Sequence, residues 1–104
     1  MLPTFDFSVF DGQELVDYTN STGTISGVRA VRRPLSQSTA SRVEQFGIML
    51  TTEHVPFHLD GDQLPSQVLA AGNNIMDAQN IEYAVVFVER QDFGHRVLAI
   101  AKVV

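Results

Sequence analysis

The chain of 104 residues contains no cysteine. That absence excludes a disulfide scaffold, a thiol nucleophile and any thiolate zinc site, and it fits a reducing compartment. Basic residues are scarce: seven Lys and Arg face twelve Asp and Glu, for a formal charge of −5. This is the wrong sign for a surface that grips nucleic-acid phosphates over its whole area, so a dedicated DNA-binding domain is disfavoured. No apolar run approaches the roughly 20 residues of a membrane span. The acidic start (Asp6, Asp11, Glu14) lacks the basic flank of a signal peptide, which predicts a soluble intracellular protein. Ser36, Ser38, Ser41 and Ser66 sit in no G-x-S-x-G elbow, and the seven glycines are dispersed among turns instead of gathered into a phosphate-cradling loop. There is no internal repeat and no linker long enough to divide the chain.

What is present is a period-2 pattern. The chain is 44% hydrophobic and 18% charged, with mean hydropathy +0.04, enough to build one core at a length of about one domain. Phe5, Phe7 and Val9 alternate with polar residues, Asp11-Gly12 offers a tight turn, and Val16 and Tyr18 share a face of the next strand. After turn residues 19–23, residues 24–33 place Val28 and Ala30 on one side and Arg29, Val31 and Arg33 on the other. Pro34 ends this strand or puts it at an edge, where its arginines would protect it by charge against edge-to-edge pairing. Ser36, Gln37, Ser38, Thr39, Ala40, Ser41 and Arg42 are small and polar. They predict an exposed, mobile loop over 36–45, with at most a helical turn through 42–45. Phe46, Ile48 and Leu50 alternate as a strand, and Val55, Phe57 and Leu59 as another, leaving His54, Pro56, His58 and Asp60 on a solvent face. Asp60-Gly61-Asp62 is a turn, and 64–72 predicts a short helix with Pro65 at its start and Gly72 at its end. Residues 83–88 read as a strand covered on both sides, a turn at Asp92-Phe93-Gly94 follows, and 96–104 is again β-rich. The expectation is a mainly β single domain over residues 1–104. It is a small barrel or sandwich of about six or seven short antiparallel strands, with a mobile polar loop and at most one short helix.

Three groupings of side chains bear on chemistry. His54, His58 and Asp60, with Asp62 beyond, carry ligand types suited to zinc or iron. Pro56, however, interrupts any helical H-x-x-x-H, and two surface histidines beside a turn account for the same residues without metal. No cofactor or metal is therefore expected. Asp60 with Asp62, and Asp77 with Glu82, are formally paired carboxylates, but turn chemistry is their simpler use. Arg29, Arg32 and Arg33, with Arg42 nearby, form the basic cluster and are the candidate contacts to phosphate or an acidic partner. Phe46, Phe57, Phe87 and Phe93 fall in apolar phases or at a turn and read as core rather than as a base-stacking platform.

Taken in order, the G-V-x-A-x-R-R-P-L strand from Gly27 to Leu35, the polar loop, Leu64-Pro65, the G-x-x-I-x-D stretch from Gly72 to Asp77, Tyr83-x-Val85 and the closing hairpin resemble the head–tail joining proteins of tailed bacteriophages. These are the neck components known as connector, stopper or head-completion proteins. The similarity covers most of the chain from about Thr24 onward. Many relatives carry Gly-Asp-x-Ile where this chain has Gly72-Asn73-Asn74-Ile75, and glycine where it has Asn80; asparagine tolerates a left-handed backbone, so the turn geometry can survive. The resemblance implies a non-enzymatic virion subunit in a ring between portal or adaptor and tail, made in the host cytoplasm. DNA would pass through without specific binding, and no membrane would be involved. Sheet edges at 24–33 and 101–104 would supply the two unlike surfaces a ring needs, and the Ser36–Arg42 loop would order on assembly. A tail terminator or minor tail protein shares this logic. A small metal-dependent enzyme or ligand-binding barrel on His54, His58 and Asp60, and a regulatory module using Arg29, Arg32 and Arg33, are the alternatives from other classes.

Overall fold

Alternating side chains bury one face of a strand, and six such strands curled around their apolar faces close into a barrel. The computed structural model describes residues 12–64 and 69–104, and its elements are β1 Glu14–Asn20, β2 Gly23–Arg32, α1 Gln37–Gln45, β3 His54–Asp60, β4 Asn74–Met76, β5 Glu82–Gln91 and β6 Arg96–Val103. The strand order around the barrel is β1-β2-β3-β6-β5-β4, with β4 pairing back onto β1 and every neighbour antiparallel. The expected mainly β fold with one short helix is therefore present. The strand read at Phe5, Phe7 and Val9 lies outside the described residues. Among the described residues no helix is long and apolar enough to cross a membrane.

Two apolar layers result. Inside the barrel, Val16 and Tyr18 of β1 meet Val28, Ala30, Phe57, Leu59, Ile75, Tyr83, Val85, Val97, Ala99 and Ala101. Outside it, Val43 of α1 packs on Leu98 and Ile100 of β6, joined by Leu35, Ile48, Leu50, Val86 and Phe87. Residues 97–101 are consequently buried on both faces, so β6 rather than β5 is the doubly covered strand. β5 changes phase at a bulge between Val85 and Phe87, which turns Phe87 to the outer layer and returns Val88 to the barrel interior. A full burial of one such side chain is worth about 1.5–3 kcal/mol. The helix is thus held by its single buried residue, Val43, and by the segments on either side of it.

Several expectations change. The exposed loop predicted over 36–45 is the helix α1: Ser36 caps it by accepting from the Thr39 amide at 3.3 Å, and Gly47, at φ 87°, follows its end. With one buried side chain in nine residues, the helical period was too short to register against the polar composition. Residues 46–52 form turn and coil rather than a strand. Ile48 and Leu50 alternate because they pack on the outer layer, and no strand pairs with them. The helix predicted over 64–72 is also absent where the chain is described: Leu69 and Ala70 are irregular, and Gly72 turns at φ 95° to donate to Val85. β2 is not an edge. It pairs with β1 along most of its length and with β3 through Ala30, Val31 and Arg32. Where the β3 ladder stops, the Gln63 side chain replaces it, accepting from the Arg29 amide at 2.7 Å and donating to the Gly27 carbonyl at 2.9 Å. β6 lies between β3 and β5, so neither strand expected to offer an open edge is unpaired along its length.

The turn after β3 approaches the β5–β6 turn so closely that a Cβ on Gly61 would lie 2.0 Å from the Gly94 carbonyl oxygen. The Gly61 amide donates to the His95 carbonyl at 2.9 Å, which locks the two turns together. Because the obstacle is backbone, Gly61→Ala should destabilise the protein by about 1–3 kcal/mol, the range for forced overpacking. Urea denaturation checks this, and a change below about 0.5 kcal/mol would show that the two turns separate freely.

Candidate functional site

The basic cluster read from the sequence does not stay together. Successive residues of a strand face opposite ways, so Arg32 is directed to the end of the barrel interior while Arg29 is on the outer side. The Arg32 guanidinium carbon lies 4.9 Å from the Phe57 ring centre and 5.3 Å from that of Tyr83, and these two core rings meet edge to face at 5.1 Å. Its nitrogens donate to both oxygens of Glu14 at 2.9 and 3.0 Å, to Asp77 at 2.8 Å and to the Tyr83 hydroxyl at 3.0 Å. Asp77 is buried, and it also accepts from the amides of Gln79 and Ile81 at 2.9 Å each. Burial works to raise the Asp77 pKa, but the Ile81 amide, Arg32, the Gln79 amide and Tyr83 together hold it below its ordinary value. Hydrogen bonding to Glu14, ahead of Asp77 and Tyr83, in turn raises the Arg32 pKa. Arg29 forms a separate pair, its Nε donating to the buried Asp60 at 3.0 Å.

The imidazoles considered for metal binding are likewise apart in role. His54 Nδ1 accepts from the Thr51 amide at 3.0 Å, and Asp60 is engaged by Arg29 and by the Asp62 amide. Asp62 itself is 2.8 Å from His95 Nδ1, a histidine the sequence reading had not used. Among the described residues no group of three or more His, Asp or Glu is arranged to hold a metal ion. The face predicted to be solvent-exposed is partly covered by α1 and the chain leading into it, which leaves His58 half-buried. Burial, then Arg96 and Arg33, push the His58 pKa down to about 4, against an opposing contribution from Asp92. Asp77 and Glu82 are not an acid–base pair, since Asp77 shapes the β4–β5 turn and Glu82 accepts from the Asn74 side chain at 3.0 Å.

His58 lies in a cleft of about 240 Å³ between the first turn of α1 and the outer face of the barrel. Arg33, Ser36, Thr39, Gln91 and Arg96 supply its polar lining. Sequence reasoning found Arg33 and His58 but missed Gln91 and Arg96, because only the β3–β6 and β5–β6 registers bring them alongside. Of the phenylalanines assigned to the core, Phe57 is fully buried and Phe87 half-buried. Phe46 is 69% exposed and Phe93 fully exposed. Phe93 occupies a left-handed backbone at φ 56°, next to Asp92 at φ 52°. Neither family models, curated proteins nor solved structures give a match to this chain.

The Arg32–Asp77 pair makes two expected outcomes. Arg32→Met strands a buried carboxylate and should cost about 2–3 kcal/mol, below the usual figure for a broken buried pair because Arg32 is itself partly exposed. Adding Asp77→Asn should recover part of that loss. Because the folded-state pKa of Asp77 is depressed, its contribution is complete above the ordinary value of 3.8 and is lost as the pH falls through the folded value. Denaturant titrations across the acid range check both, and an acid limb of the same steepness in wild type and in the double variant would contradict the assignment.

Proposed function

We propose that this chain is a structural, non-enzymatic subunit of the bacteriophage neck, a ring component around the DNA channel that joins portal or adaptor to tail. The resemblance from Thr24 onward supports this reading, and so does the geometry of Asn80, which stands where relatives carry glycine and adopts φ 64°. Asn73, where relatives have aspartate, uses its side-chain oxygen to accept from the Tyr18 hydroxyl at 2.7 Å and the Ala70 amide at 2.9 Å, a role either residue type fills.

The observation that carries the proposal is the surface. With most strand edges paired in the closed barrel, exposed side chains are the main contacts left for a ring. Two separate apolar features are available for that. Phe93 projects from the β5–β6 turn, and Phe46 and Met49, exposed at 69% and 82%, follow α1 beside Phe87, with the Phe46 and Phe87 ring centres 5.8 Å apart. A head-to-tail ring requires two unlike surfaces on each subunit, and these two are unlike in shape and position. The helix α1 takes the place in this scheme that the Ser36–Arg42 loop held in the sequence reading. The net charge of −5 is compatible with a channel wall that does not trap passing phosphates.

The test is electron microscopy of particles made from the source genome with this reading frame disrupted. Leaking or empty heads beside finished, separate tails are the expected outcome; normal infectious particles would exclude the neck role, and heads bearing overlong tails would indicate a tail terminator. Complementation with Phe93→Asn sharpens it. Asparagine accepts the left-handed backbone, so stability should stay within about 0.5 kcal/mol while joining is lost.

A further inference from the structure

The cleft between α1 and the barrel combines features that nothing in the fold itself requires. Arg33, from the end of β2, and Arg96, from the start of β6, reach it from different elements, and Ser36 and Thr39 bring the first turn of α1 to the same place. The charged groups acting on His58 are Arg96, Arg33 and Asp92. Arg96 Nε lies 3.1 Å from Asp92. Two buried polar atoms in the lining, His58 Nδ1 and Gln91 Oε1, have no hydrogen-bond partner among the described residues. A buried polar atom left unpaired costs about 1–3 kcal/mol, which makes two of them lining one cleft a mark of a site whose partner arrives from outside.

We infer that this cleft binds a phosphate group, with Arg33 and Arg96 as its charge partners and His58 Nδ1 and Gln91 Oε1 as its neutral ones. A bare carboxylate offers only acceptors, and it would leave the Gln91 oxygen unpaired. Monohydrogen phosphate, or a singly protonated phosphate ester, offers acceptors to the two guanidiniums and to the His58 N–H and also an O–H for Gln91. The helix N-terminus adds a favourable field for the same charge. The volume of about 240 Å³ admits a phosphate with a small substituent. Neutral His58 is the form that binding meets, and the anion then stabilises the imidazolium and raises the His58 pKa from its low starting value. This site is independent of the neck assignment and stands or falls separately.

The experiment is a titration of the full chain with inorganic phosphate near neutral pH, at constant ionic strength held with chloride, followed by NMR of the backbone amides and the histidine rings. Saturable shifts confined to residues 33–39, His58, Gln91 and Arg96, together with a rise in the His58 pKa, are expected. Arg33→Gln and Arg96→Gln should each weaken binding about tenfold, the consequence of losing one charge-assisted hydrogen bond, whereas Lys102→Gln should change nothing. Arg33 lies exposed at the surface, so its variant keeps the test valid if Arg96→Gln folds poorly. A short DNA duplex that shifts the same resonances more tightly identifies a nucleic-acid phosphate as the source, and one that does not identifies a free or small-molecule phosphate; both support the site. Shifts that never saturate, scatter over the surface or survive both arginine substitutions overturn it.

Discussion

The contact on which the fold depends is the buried carboxylate of Asp77. It follows β4, a strand of only three residues that must nonetheless bridge β1 and β5 for the barrel to close. One oxygen of Asp77 takes the Gln79 and Ile81 amides and so shapes the turn that delivers the chain into β5; the other takes Arg32 from β2 across the barrel end. Local turn and long-range closure are thereby set by one side chain. A charge removed from water this completely is tolerated only when several donors share it, and here two amides, a guanidinium and the Tyr83 hydroxyl do so. Arg32 in turn covers the rings of Phe57 and Tyr83, so the polar network also caps the apolar interior.

The second constraint is on the outer face of β6. Leu98 and Ile100 are as apolar as the inward residues beside them, and a strand with two apolar faces needs a cover. α1 and residues 46–50 provide it. The helix is a weak one by composition, lacking acidic residues in its first turn and burying only Val43, so its position comes from β6 rather than from its own propensity. The cleft at His58 opens beside the first turn of that helix.

How much of this was legible follows from which interactions are local. Strands with a period of two, such as β1, β2 and β3, could be read directly, β6 from its β-rich composition, and the turns at 60–62 and 92–94 from their turn residues. Three local patterns misled. Ile48 and Leu50 alternate as they would in a strand because a coil lying on an apolar sheet also buries every second residue. Ser36–Arg42 has the composition of a loop but a cap at Ser36 and one well-placed valine at Val43. Phe93 is apolar by type yet fully exposed, because its backbone points it away from everything. The arginine cluster is the clearest case: Arg29, Arg32 and Arg33 are neighbours in sequence, but a strand sends Arg32 one way and Arg29 the other. Their partners, Asp60 and Asp77, are 31 and 45 residues distant. No single-sequence pattern carries a pairing at that range.

The charge distribution connects fold and surface. Arg29, Arg32, Arg42, Arg96 and Lys102 all have carboxylate partners within the chain, in Asp60, Glu14 with Asp77, Glu89, Asp92 and Glu53, and Arg90 donates to the Leu64 carbonyl. Internal pairing of this kind neutralises the basic residues first and leaves an acidic surplus on the outside, so the net charge of −5 understates how little free positive charge the surface displays. Against that background Arg33 and Arg96 converge on one cleft. A phosphate contact there would rest on short-range pairing with those two guanidiniums and not on the net charge of −5, which opposes it.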